Sequence, residues 1–145
     1  MMTKRIFRSM FLLAAVILTA CLILIMGVLY QYFSSRHNSE IVSETHYIAA
    51  AVETQGMNYF NTLTTSSNRI TWIDADGTVL YDSAVTAQDL ENHATREEIQ
   101  KALNSGKGES TRYSSTLSQK TYNYALQLKD GTILRVSGTY YSIFT

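Results

Sequence analysis

The sequence predicts an α+β protein: an N-terminal transmembrane helix continuing into a long helix, then a five-stranded antiparallel sheet with helices packed against it. Three observations predict it. Residues 10–30 form an uncharged apolar run. Residues 31–63 keep apolar side chains at helical spacing, and the chain contains no Pro to interrupt them. Beyond the "TTSSN" cluster, short β-rich runs alternate with turn signals and one capped helical stretch, the order a layered sheet with helices requires.

The first element is "MFLLAAVILTACLILIMGVLY", Met10–Tyr30, with no charge between Arg8 and Arg36. That matches the ~20 apolar residues a helix needs to cross the bilayer hydrocarbon. It is longer than the roughly 7–15-residue apolar core of a cleaved signal peptide. Lys4, Arg5 and Arg8 precede the run, and no basic cluster follows closely. The positive-inside bias therefore places residues 1–9 in the cytoplasm and everything from Gln31 outside. "LTAC", ending at Cys21, is similar to a lipoprotein lipobox, but an apolar "LILIMGVLY" follows where a polar tether belongs. Cys21 thus reads as a small apolar residue of the span, and as the single Cys it excludes an internal disulfide.

In the long helix, Ile41, Ile48, Val52, Tyr59 and Leu63 make one apolar stripe, read here as a surface for dimerisation or transmission. "RITWID" and "TVLYDS" then flank Ala-Asp-Gly, and "LQLKDGTILRVS" repeats the device. Asp76-Gly77 and Asp130-Gly131 are accordingly predicted as hairpin turns. Between the hairpins, "ATREEIQKALNSGKG" is a helix with Thr95 and Glu98 at capping-box spacing and Gly106 as its stop. Thr86 with Asp89 suggests a shorter turn before it. "ESTRYSST" reads as a strand. In "TYNYALQL", Tyr122, Tyr124, Leu126 and Leu128 share one face, with Asn123, Ala125 and Gln127 on the other, so cover is expected on one face only.

Nine basic and twelve acidic residues follow Tyr30, a formal balance of −3 that argues against a nucleic-acid surface. Asp74, Asp76 and Asp82 crowd around Gly77, yet the spacing fails the EF-hand pattern: counted from Asp74, the glycine is fourth and Val85 twelfth. The reading is turn formation and solvation, with a divalent-ion patch on these three as the alternative. His37, His46 and His93 lack ligand spacing, and His46 is read as solvated on the exposed side of the long helix. No nucleophile elbow or phosphate-cradling loop is present, so neither catalysis nor a cofactor is expected. The remaining candidates are Arg112, Tyr113, Tyr122 and Tyr124, a ligand cleft beneath the Arg96–Leu103 helix whose phenols and guanidinium would orient an anionic or polar ligand. Simple core packing is the alternative.

Taken together, "RITWIDADGTVLYDS", "ENHATREEIQKAL", "TRYSST", "YNYAL" and "DGTILRVSG" resemble the extracytoplasmic sensor region of phosphate-regulon-type sensor histidine kinases in bacteria, over roughly Arg69 to Gly138. The resemblance implies a PAS-like fold of the PDC/Cache kind. It also implies a homodimeric receptor module in the cell membrane that detects an extracellular small molecule or envelope protein. Residues 31–138 would be the sensor domain, with a long helix over 31–63 and a core over 69–138. Residues 139–145, "TYYSIFT", would begin a second span. The chain carries no HAMP-like coil, phospho-acceptor helix or ATP-binding motif, so any kinase activity would belong to a larger parent protein. A chemotaxis or cyclic-dinucleotide receptor could use the same module. A pseudopilin-like structural protein is disfavoured because its start motif and buried Glu are missing.

Overall fold

The structure, a computed structural model, describes residues 2–64, 66–114 and 119–141. The chain divides into two compact units, Met1–His37 and Asn38–Thr145. The first unit is helical throughout its described residues, and its large apolar side chains from Ile6 to Phe33 are exposed. Among the described residues one helix is long and apolar enough to cross a membrane. Just past the apolar run, the rings of Tyr32 and Phe33 meet edge to face at 5.8 Å. Aromatics of this kind favour the headgroup level of a bilayer.

Helix α1 is Met2–Gln55. In the second unit its later residues are followed by α2 (Met57–Thr62), β1 (Arg69–Ile73), β2 (Val79–Asp82) and a 3₁₀ turn (Ala87–Asp89). Helix α3 (Glu97–Ser105) and strands β3 (Lys107–Ser114), β4 (Gln119–Gln127) and β5 (Ile133–Tyr141) complete it. The five strands lie in the order β2-β1-β5-β4-β3, every neighbouring pair antiparallel. The last strand in sequence is therefore central, with Arg135 opposite Thr71 on one side and Ala125 on the other.

Strand alternation fixes what each face carries. Ile70, Tyr122, Tyr124, Leu134 and Val136 point to one side, where Ile41, Ile48, Ala49 and Val52 of α1 and Phe60 of α2 cover them. Ile73, Ala125 and Ile133 point to the other, under Ile99, Ala102 and Leu103 of α3. The sheet is thus covered on both faces, against the one-sided expectation. Ala125 sits where close helix approach needs a small residue, and the neighbouring polar side chains are satisfied by one another. Because the α1 stripe is consumed by the sheet, Ile41, Ile48 and Val52 are not free for dimerisation.

The long helix does not reach residue 63. Gly56, at φ 58 and ψ −139, ends α1 in a conformation that L side chains resist. The chain turns there, and the short α2 lays Phe60 on Tyr81, their rings stacked at 4.1 Å. At the other end β5 runs through Tyr141, so residues 139–141, assigned above to a second span, are strand. Residues 142–145 lie outside the described residues.

The two hairpins share one turn geometry. In the first, the Asp74 amide donates to Thr78 O and the Gly77 amide to Asp74 O. In the second, the Leu128 amide donates to Thr132 O and the Gly131 amide to Leu128 O. Asp76 and Asp130 each accept from the amide two residues on, at 2.8 and 3.0 Å. Gly77 (φ 90) and Gly131 (φ 87) both take left-handed conformations. Their surroundings differ. A Cβ at Gly77 would fall within 2.5 Å of the Ala94 backbone nitrogen, whereas one at Gly131 meets nothing within 4 Å. Gly131→Ala should therefore cost only the roughly 1–2 kcal/mol of left-handed strain, and Gly77→Ala clearly more. Chemical denaturation of the two variants checks the order, and equal costs would refute it.

Candidate functional site

The α3 side of the sheet carries an ionic cluster on the central strand. Arg135, only 3% exposed, donates through Nη1 to Glu98 Oε1 at 3.2 Å and through Nη2 to Thr71 Oγ1 at 3.0 Å. Thr71 Oγ1 in turn donates a hydrogen bond to Asp82 Oδ2 at 2.8 Å. Asp82 also accepts from Arg69 Nε at 3.0 Å and from the amides of Ala84 and Val85. Glu98, fully buried, accepts from Ser110 Oγ at 2.7 Å and from Arg112 Nη2 at 2.9 Å. Ser137 donates to Asn123 Oδ1 at 2.7 Å, and the Asn123 amide reaches Ser110 Oγ at 3.3 Å. The network joins α3 to β1, β2, β3, β4 and β5.

Burial acts to raise both carboxyl pKa values. For Glu98 the Ser110 hydrogen bond and the nearby arginines outweigh it, and for Asp82 the Ala84 amide, Thr71 and Arg69 do so. Both groups titrate below their ordinary range. For Arg135 burial wins, lowering the guanidinium to about 10 despite the opposing pull of Glu98. Half-buried Arg96 is lowered too, first by burial and then by Arg112. Arg112 keeps 45% of its side chain exposed and Arg69 keeps 37%, so the cluster reaches solvent at its rim. Four guanidiniums stand against the buried carboxylates of Glu98 and Asp82 and the exposed Glu91 beside Arg96, and the remaining positive charge suits an acidic or polar partner at that rim.

The four residues expected to share a cleft are divided between the two faces. Arg112 joins the cluster beneath α3. Tyr113, Tyr122 and Tyr124 share the face covered by α1, not the one under the Arg96–Leu103 stretch, because residue parity on adjacent antiparallel strands puts them there. Tyr113 is exposed. Tyr122 is core, its hydroxyl donating to Glu109 Oε2 at 2.5 Å, and burial together with that bond raises its pKa. Tyr124 is core against α1, with the His46 ring 6.0 Å away. Tyr122→Phe should cost about 1.5–3 kcal/mol, the range for a bond to a charged group, and Tyr124→Phe under about 1. Thermal melts of the two variants would show the difference, and a reversed order would contradict these assignments.

The three aspartates of the first hairpin also part company. Asp74 and Asp76 accept from local backbone amides, while Asp82 turns into the buried network. Glu98 does not cap its helix: the N-cap is Arg96, without a side-chain cap bond, and Glu98 points inward instead. His93, to which no role was given above, is buried, 1% exposed. Capping-box spacing hid Glu98, and the length of an irregular segment hid His93. One clue was present for Arg135: a lone charge inside the apolar "TILRVS" strand needs a buried partner or a bulge.

A single Cache-like family model matches residues 31–133. No curated protein matches the sequence significantly. Among solved structures, the chain is similar to the extracellular domain of rpHK1S-Z16, described as a candidate histidine kinase, at 20% identity and a TM-score of 0.42. That alignment covers 61% of this chain, which spans 37% of the other's length. The family match takes in most of the chain together with the helix-and-sheet order seen here, and the protein belongs to the single Cache-like family, with its Cache/PAS-like fold.

Proposed function

We propose that this chain is the extracytoplasmic sensing and transmembrane signalling module of a two-component sensor histidine kinase. Its N-terminus would be cytoplasmic, it would act as a homodimer, and its cue would be an acidic or polar group bound at the rim of the α3-side cluster. The observation that carries the reading is the buried network on β5. A small domain gains little stability from burying charges, since well-packed apolar side chains usually serve as well or better. This one nonetheless places Arg135 on its central strand, bonded to Glu98 of helix α3 and Thr71 of strand β1. β5 is also the last strand among the described residues, while α1 contains the candidate span. An occupant that favours one arrangement of Arg112, Arg135 and Glu98 would shift the domain between two states, and couplings of about 1–3 kcal/mol are ordinary for such shifts. The Tyr113, Tyr122 and Tyr124 face is assigned to packing. A reporter active only outside the cytoplasm, joined after Tyr141, should be active, and one joined after Ser9 should not. The reverse pattern would remove the receptor reading.

A further inference from the structure

The segment between β2 and α3, residues 83–96, crosses the edge of the polar cluster as a strap. Of its side chains only that of His93 is buried, every other being exposed or half-buried. The rest of its attachment is polar and peripheral. The His93 amide donates to Gly77 O at 2.8 Å, Asn92 Nδ2 donates to Asp76 O at 2.9 Å, and Asp82 accepts from the first amides of the strap. The strap is thus anchored to the interior by one imidazole. Neither Nδ1 nor Nε2 of that ring has a hydrogen-bond partner, and Arg135 Nε is likewise buried and unpartnered.

The charges bearing on the ring come from three places: Arg135 on β5, Arg69 on β1, and Arg96 at the end of the strap itself. All are positive. The Glu91 carbonyl favours a charged ring, but it falls short of hydrogen-bond geometry. Both buried carboxylates of the site are already engaged, Glu98 by Ser110, Arg112 and Arg135, Asp82 by Arg69, Thr71 and two amides. A proton arriving at His93 therefore meets burial and three guanidiniums, with both buried carboxylates already engaged elsewhere. A strap with one buried side chain, its other bonds lying at the Ser83 end and at the Asp76 turn, has an easy way out.

We propose that the domain responds to acid, with His93 as a latch whose protonation frees the 83–96 strap from the sheet and uncovers the arginine cluster. The input is the proton itself, acting independently of any ligand at the rim. In place, the imidazole is held down to a pKa of about 4, first by burial and then by Arg135 and Arg96. Released into water it returns to about 6.5. Between those two values the open form binds one more proton than the closed form, so its population should rise tenfold for each unit of falling pH.

Hydrogen exchange of the full chain in lipid nanodiscs tests this. After correction for intrinsic rates, protection of the His93 amide should fall about 40-fold from pH 6.5 to 4.5, and at every pH it should lie well below that of the Leu134 and Val136 amides. In the His93→Leu variant the His93-position amide should show no such slope. Equal slopes in both proteins would overturn the proposal, as would a His93 amide as strongly protected as those of Leu134 and Val136. If His93→Leu does not fold, the wild-type imidazole titration followed by NMR decides: a ring neutral down to about pH 5 supports the latch, and one titrating near 6.5 removes it.

Discussion

Glu98→Ala should cost about 3–5 kcal/mol, the range for breaking a buried ion pair by removing one partner. The carboxylate is fully buried and satisfies Ser110, Arg112 and Arg135 together. Without it, Arg135 remains 3% exposed with a bond to Thr71 but no charge to oppose its own. Glu98→Gln keeps the shape and loses the charge, so its cost should fall between wild type and alanine. Replacing the pair together, Glu98→Leu with Arg135→Met, should recover much of the loss, because no charge is then stranded. Urea melts of the four proteins at neutral pH give the ordering. A Glu98→Ala cost under about 1 kcal/mol, the level of an exposed pair, would mean that the network is a surface decoration.

The same groups fix the acid behaviour. Glu98 and Asp82 have lowered folded values, so their contribution is fully present above the ordinary carboxyl range and is lost as pH falls through those lower values. His93 acts in a higher window. Its folded value is also lowered, to about 4, so stability declines from near pH 6.5 downward.

Phe60→Ala should cost about 3–5 kcal/mol, as aromatic truncations in cores do. Phe60 is 5% exposed, stacks on Tyr81 at 4.1 Å and lies 5.7 Å from the Trp72 ring. It is the sole buried residue of α2, and the Gly56 break in the long helix delivers it. Losing it should open the β1–β2 end of the α1 face while leaving the α3 face intact. Denaturation should show the loss, and Trp72 fluorescence should shift to the red. An unshifted Trp72 spectrum together with a cost under about 1 kcal/mol would contradict the packing.

The hairpins, the β4 alternation and the apolar run were legible because each is set by local chemistry. Asp-Gly turns, period-two faces and uncharged length need no tertiary information. The helix break at Gly56 was not, since a lone glycine inside a helical pattern is tolerated as often as it ends one. The second covered face was missed because Asn123, Ser110 and Ser137 look solvent-facing until their partners are known. The four expected cleft residues do not converge for a related reason. Arg112 and Tyr113 are neighbours in sequence, and on a strand that alone sends them to opposite faces. Glu98 and Arg135 lie far apart in the chain, and only the strand order β1-β5-β4-β3 under α3 brings them together.

The central claim is that the domain responds through the α3-side cluster and not through the tyrosines on the α1 face. Joined to a histidine-kinase core with a transcriptional reporter, the chain should give an output that changes several-fold on Arg112→Gln, a substitution at the exposed rim that leaves the core packed. Tyr113→Phe and Tyr124→Phe in the same fusion should leave the output at the wild-type level. An output unmoved by Arg112→Gln but altered by either tyrosine substitution would contradict the account.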